Sequence, residues 1–99
     1  MQDESSGNVV LVGKKPIMNY VVACLTLFNS GKSSVIVRAR GTVISRAVDT
    51  VELLRKAFVK NLEIQSINIG TQQFKTANGT ESSTSTIEIM VTRTRYNGK

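Results

Sequence analysis

The chain has no histidine and no tryptophan, one cysteine, one proline, and no apolar run approaching the length of a membrane span. Without histidine, the usual acid–base side chain at neutral pH is missing. Ser–His and Cys–His nucleophile pairs and nearly every transition-metal site go with it. A lone Cys24 excludes an intramolecular disulfide and any Cys-x-x-Cys site. The opening Met1-Gln2-Asp3-Glu4 is acidic where a secretory signal is basic, so no signal peptide is expected. What the chain has in excess is positive charge: 13 Lys and Arg against 7 Asp and Glu, a formal +6 on 99 residues. That length holds one domain, with a core large enough to need no metal or disulfide. Hydrophobic residues at 40% and charged residues at 20% describe a folded chain. Together these features predict a soluble, basic, intracellular binding domain.

The charge is concentrated. Residues 10–60 carry Lys14, Lys15, Lys32, Arg38, Arg40, Arg46, Arg55, Lys56 and Lys60 against only Asp49 and Glu52, a net +7. Residues 61–99 carry a net +1, and residues 1–9 a net −2. A basic segment of this kind suits a polyanion, nucleic acid first and an anionic membrane surface second, or serves as a solubilising surface.

Residues 1–8 are polar and read as a flexible tail, ahead of one domain over 9–96 and a short end over 97–99. Val9-Val10-Leu11-Val12 predicts a buried strand closed by Gly13. Pro16 suits the first turn of a helix. Ile17, Val21, Cys24, Leu25 and Phe28 then line one helical face, and Gly31 is placed for a left-handed cap. Ser34 to Arg40 alternates, with Val35, Val37 and Ala39 on one side and Ile36, Arg38 and Arg40 on the other. Ile44, Ala47, Val48, Val51, Leu54 and Phe58 give a second helix, with Thr42 placed to cap its start and Asn61 just past its end.

Leu62 to Ile69 is a third strand. The opposite parity of Leu62 and Ile64 to Ile67 and Ile69 predicts a bulge between the pairs. Asn78-Gly79 is a hairpin turn signal. Ile87, Ile89 and Val91 alternate in a last strand that runs out to Arg93-Thr94-Arg95-Tyr96. The order β-α-β-α-β-β predicts an α+β fold: two helices on one face of a four-stranded mixed sheet, with a long β-hairpin arm.

Several motifs carry chemistry. Gly13-Lys14-Lys15-Pro16 falls between strand and helix but is not a nucleotide P-loop. Gly7 is one residue too far from Gly13, and Lys15 stands where Ser or Thr would hold magnesium. Gly31-Lys32-Ser33 fails as well, because it ends a helix. Paired lysines at such a junction do suit phosphate oxygens, and are otherwise two solvated charges. Arg38 and Arg40, two apart on one strand face, set their guanidinium groups roughly 7 Å apart, close to the phosphate spacing of a nucleic-acid strand. Arg46 follows in the early turns of the second helix. Charge gathered this way binds phosphate without reading sequence, or serves to keep strand edges apart.

Asp49 and Glu52 pair more readily with Arg46, Arg55 or Lys56 than with a substrate. Ser45 has no base to activate it. Cys24 reads as a small core residue. Phe58 is either core or an exposed anchor for another subunit. The hydrophilic hairpin Gln72–Thr86, with Lys75 against Glu81, is either an arm that enters a groove or a surface hairpin.

Three stretches resemble the Alba family, the Sac10b-type proteins of archaea. They are Asn8-Val-Val-Leu-Val-Gly-Lys-Lys-Pro-Ile-Met-Asn-Tyr-Val-Val22, Ala39-Arg-Gly-Thr-Val-Ile-Ser-Arg-Ala-Val-Asp-Thr-Val-Glu52 and Ser85-Thr-Ile-Glu-Ile89. The resemblance implies a fold like the C-terminal domain of a bacterial translation initiation factor, and a two-fold dimer that binds double-stranded DNA, and RNA, with little sequence preference. It implies a homodimer or a heterodimer with a paralogue, and a cytoplasmic, nucleoid-associated protein. Site by site, the family's lysine pair falls on Lys14 and Lys15. Lys14 is then the acetylation candidate, with an acetyltransferase and a deacetylase as partners. The arginine before the helix glycine falls on Arg40, the basic residue of the Ser-Lys-Ala-Val-Asp motif on Arg46, and the aromatic residue between dimers on Phe58. The chain departs from the family's frequent Arg-Gly-Arg at Thr42, and its hairpin is poorer in arginine.

The resulting expectation is a non-enzymatic chromatin protein that uses no metal or cofactor and meets no membrane. Phosphate is contacted by Lys14, Lys15, Arg38, Arg40, Thr42 and Arg46, and Lys75 on the hairpin adds groove contact. The rivals are a mainly RNA-binding role in RNA stabilisation or ribonucleoprotein assembly, a pure assembly module, and a nuclease. The last is disfavoured by the missing histidines and the lack of a carboxylate cluster.

Overall fold

The computed structural model of the chain describes residues 7–94. The tail expected over residues 1–8 therefore lies outside the described residues except for Gly7 and Asn8, where the Asn8 side-chain amide donates to the Ser34 carbonyl at 3.2 Å. The expected polar end at Arg95-Tyr96 and residues 97–99 also lie outside them.

Strand β1 (Val9–Leu11) leads into helix α1 (Ile17–Asn29), then strand β2 (Ser34–Arg40). A 3-10 turn (Gly41–Val43) opens helix α2 (Ile44–Leu53), and a π turn (Leu54–Phe58) ends it. Strands β3 (Leu62–Lys75) and β4 (Glu81–Arg93) complete a sheet of order β1-β2-β4-β3. β1 runs parallel to β2, and both other pairings are antiparallel.

The alternation in β2 sends Val35, Val37 and Ala39 into the core, where they meet Val10 of β1 and Ile89 and Val91 of β4. Tyr20, Val21, Cys24 and Phe28 of α1 cover this face together with Ala47, Val51 and Leu54 of the second helical segment. Burial pushes the Cys24 thiol up to about 12, so it stays protonated and inert at neutral pH. Truncating a fully buried Leu54 or Phe28 to alanine costs about 2–5 kcal/mol through lost transfer energy and a residual cavity.

Gly31 takes the left-handed cap after α1 with φ +105°. The bulge in β3 is present as a register shift between Ile64 and Ser66. Two expectations are corrected. Thr42 makes no capping bond: the chain leaves β2 through the 3-10 turn, so α2 begins only at Ile44, without a side-chain cap. The last strand starts at Glu81 instead of Ile87, because the Thr- and Ser-rich stretch pairs with β3 along its whole length. Its polar sequence lacks apolar alternation because no helix covers it there.

β3 and β4 outrun the rest of the sheet. The radius of gyration of 15.0 Å and longest dimension of 58 Å reflect this arm; a compact chain of about 100 residues has a radius near 13 Å.

Candidate nucleic-acid interface

β1 and β2 are parallel neighbours, so their C-terminal ends and the N-terminal ends of α1 and α2 gather at one edge of the domain. Most of the sequence-predicted residues meet there. Lys14 and Lys15 are exposed in the connection from β1 to α1, and Arg40 is exposed at the end of β2. Arg40 pairs in register with Thr86 of β4, which pairs with Gly70 of β3. The arm therefore projects from the same edge.

The connection after β1 is tightly held. The Val12 N–H donates to the Arg38 carbonyl at 2.8 Å, continuing the ladder one residue beyond β1. The Lys15 N–H donates to the Tyr20 hydroxyl at 3.0 Å. Arg46 reaches across from α2: its Nε donates to the Gly13 carbonyl at 2.8 Å, and its Nη2 donates to the Lys15 carbonyl. The arginine expected as a free phosphate ligand is thus engaged by the loop that carries the two lysines.

Arg38 and Arg40 point, as predicted, to the sheet face opposite the helices, and both have partners. Arg38 Nε donates to Glu88 Oε2 at 2.7 Å, with Nη2 at 2.5 Å from the same oxygen. This pair is part-exposed, with side-chain exposures of 42% and 39%, so it contributes little to stability and remains open to exchange. Arg40 Nη1 donates to Gln72 Oε1 on the arm at 3.1 Å. Gly41 follows at φ +62°, and a Cβ there would stand 3.0 Å from Thr84 Oγ1 of the arm. The backbone conformation and the close approach both call for glycine. Thr42 is exposed beside it.

Lys75 and Phe58 are set apart from this cluster. Lys75 closes β3 at the arm's far end, in register with Glu81, about 17 Å beyond Gly70 at strand rise. The arm's turn is held from within, by the Thr76 N–H on the Thr80 carbonyl at 2.8 Å and the Gly79 N–H on Thr76 at 3.0 Å. Phe58 lies at the opposite end of α2 from the charges. The Val59 N–H donates to the Leu54 carbonyl, five residues back, at 2.8 Å. This wide turn puts Val59 in the core and leaves Phe58 45% exposed.

On the helix-facing side of β3, Ile64, Ile67 and Ile69 are exposed, Ile69 by 81%, although Val91, Ile89 and Ile87 beside them on β4 are buried or half-buried. The helical layer ends at β4. Arg55 and Lys56 both pair with Glu52, at 2.8 and 3.6 Å. The Arg55 hydrogen bond, foremost, holds the Glu52 carboxyl below its ordinary range. Among the described residues no group of three or more His, Cys, Asp or Glu is arranged to hold a metal ion, and no helix is long and apolar enough to cross a membrane.

Sequence reasoning overlooked Tyr20, Gln72 and Glu88. Tyr20 left a usable signal: a tyrosine on a buried helical face needs a partner for its hydroxyl, and the nearest unpaired backbone is the preceding loop. Gln72 and Glu88 meet their arginines only through strand register, which sequence does not fix.

The family model for Alba matches residues 8–71. The chain is 47% identical over 88 residues to a DNA/RNA-binding protein Alba of Methanocella arvoryzae, an alignment covering 89% of this chain and 92% of that one. Its fold is similar to the solved structure of Alba from Thermoplasma volcanium, with TM-score 0.81 and 41% identity over 87% of this chain and 100% of that chain. It is also similar to ALBA1 from Trypanosoma brucei, with TM-score 0.71 and 28% identity over 87% of this chain and 68% of that one.

Proposed function

The chain belongs to the Alba family, and on that premise we propose that it binds double-stranded DNA without reading its sequence, compacts it as an archaeal chromatin protein, and also binds RNA. The observation that carries this reading is the meeting of Lys14, Lys15 and Arg40 at the edge from which the arm springs. Lysines on a held loop offer point charges to phosphate, and the arm reaches on along the duplex. None of these groups is arranged to tell one base pair from another. Arg38 joins them when phosphate displaces Glu88, and Thr42 and Lys75 add polar contact at the base and tip of the arm. Acetylation of Lys14 removes one positive charge from each loop. The protein then associates with the nucleoid and is a substrate for an acetyltransferase and a deacetylase.

A dimer, with itself or with a paralogue, doubles the charged edge and sets two arms on one composite face. The uncovered isoleucine stripe on β3 supports that assembly, since a second copy is of the right chemistry to cover it. Phe58, turned outward at the far end, is the contact between neighbouring dimers. Sedimentation of Ile67→Asp with Ile69→Asp tests the stripe: the expected result is a folded monomer, and an unchanged dimer places the interface elsewhere.

A second reading makes RNA the main partner, in RNA stabilisation or ribonucleoprotein assembly. It draws on the name DNA/RNA-binding protein carried by the Methanocella relative, which gives RNA beside DNA without ranking them. Competition between duplex DNA and structured RNA at matched salt separates the two. Preferential displacement from DNA by RNA selects the second, and absence of retention of either in moderate salt leaves only an assembly module.

A further inference from the structure

The loop between β1 and α1 has to turn the chain from a strand into a helix while holding two lysines outward. Its backbone offers carbonyls at Gly13 and Lys15 that no strand or helix satisfies. One guanidinium takes both, through Nε at 2.8 Å and through Nη2. The other tethers are the Val12 N–H on Arg38, the Lys15 N–H on Tyr20 and the Asn19 N–H on the Pro16 carbonyl at 2.9 Å. Residues 12, 13, 15 and 16 are thereby fixed, and Lys14, exposed, lies between the two bridged carbonyls.

We infer that Arg46 is a positioning residue. It acts on nucleic acid through the Lys14–Lys15 loop, by bridging the Gly13 and Lys15 carbonyls, and not by its own contact with phosphate. The inference rests on the reading that these lysines contact phosphate, and it adds how they are presented. A planar fork spans two carbonyls at once, whereas an ammonium is a single point of charge on a flexible stem. Lysine at 46 keeps the charge and loses the bridge. The freed loop then has to be ordered each time phosphate binds, an entropic cost that falls on affinity.

The test is Arg46→Lys beside Arg46→Met in the full-length protein, with a 30-base-pair duplex of random sequence as the probe. For Arg46→Lys, duplex affinity falls about tenfold while the slope of log affinity against log salt stays at the wild-type value. Without nucleic acid, NMR relaxation shows the Lys14 and Lys15 amides becoming mobile, and the Lys15 amide exchanges with solvent faster. If Arg46→Lys binds like wild type while Arg46→Met loses about 0.9 of slope per chain, Arg46 is a direct phosphate ligand and the inference is overturned. An Arg46→Lys loop as rigid as wild type overturns it whatever the binding shows.

Tyr20→Phe, which keeps the ring in the core and removes only the hydroxyl acceptor, is the second variant. It loosens the same loop and lowers affinity in the same direction with the slope unchanged. If Lys14→Ala with Lys15→Ala binds as well as wild type, the underlying reading fails on its own, while the loop-mobility result still decides what Arg46 does to the loop.

Discussion

The lysine loop and the hairpin arm leave the domain at the same edge, and they differ in both charge and support. The loop carries Lys14 and Lys15 with Arg46 behind them, and the sequence holds no acid between Glu4 and Asp49. It is held by side chains from both helices, Tyr20 of α1 and Arg46 of α2. The arm carries Lys75 in register with Glu81, so its charge cancels, and its tip is held only by its own ladder and turn. Affinity that depends on salt should therefore belong to the loop. Contact area independent of salt should belong to the arm, whose Thr, Ser and Gln side chains offer hydrogen bonds without net charge. A composition count, which assigns +6 to the whole chain, cannot make this distinction.

The largest expected effect falls on the loop. Lys14→Ala with Lys15→Ala should lower duplex affinity about a hundredfold near physiological salt and reduce the salt slope by about 3.6 per dimer, since each of four lysines releases about 0.9 of a counterion. An unchanged slope would break the contrast outright. Replacing the arm beyond Gln72 and Thr84 with a two-residue Asn-Gly turn should cost about tenfold or less in affinity and leave the slope where it was. A slope that falls with the arm would move the electrostatic contact outward. Phe58→Ala should leave the affinity of one dimer unchanged and weaken side-by-side packing on DNA by a few-fold, read by light scattering and footprint spacing. Identical assembly would remove Phe58 from that role.

The smallest effect lies away from both regions. Because the folded pKa of Glu52 is depressed, its ion pairs stabilise the protein above the ordinary value of 4.5, and that contribution is lost as pH falls through the lowered value. Glu52→Gln should therefore lower the melting temperature slightly at pH 7, and the difference from wild type should shrink as pH falls below the ordinary value of 4.5.

Much of the frame was legible in the chain. The alternation of Ser34–Arg40 marks β2 at its observed bounds, and the parity change between Leu62 and Ile67 marks the bulge. Both patterns work because one face of each segment meets a different environment from the other. Where neither face is covered the signal vanishes, which is why β4 begins six residues before its apolar alternation. The candidate lysines and Arg40 were legible as charge at junctions, since parallel neighbouring strands bring successive strand-to-helix connections to one edge. Their partners were not. Arg38 with Glu88 is a register contact 50 residues apart, and Arg46 with the loop spans 31 and 33. A basic residue in a helix gives no sign of whether its donors face solvent or a neighbouring carbonyl.

The π turn at Leu54–Phe58 can be viewed as a reading-frame choice in a helix. It spends one residue more than an α turn before valine is filed inward. Deleting a single residue between Leu54 and Phe58 would turn the Val59–Leu54 bond into an ordinary four-residue turn, with valine still on the inward face and phenylalanine still one position before it. The wide turn thus absorbs a length change of one codon without passing it on to the start of β3 at Leu62.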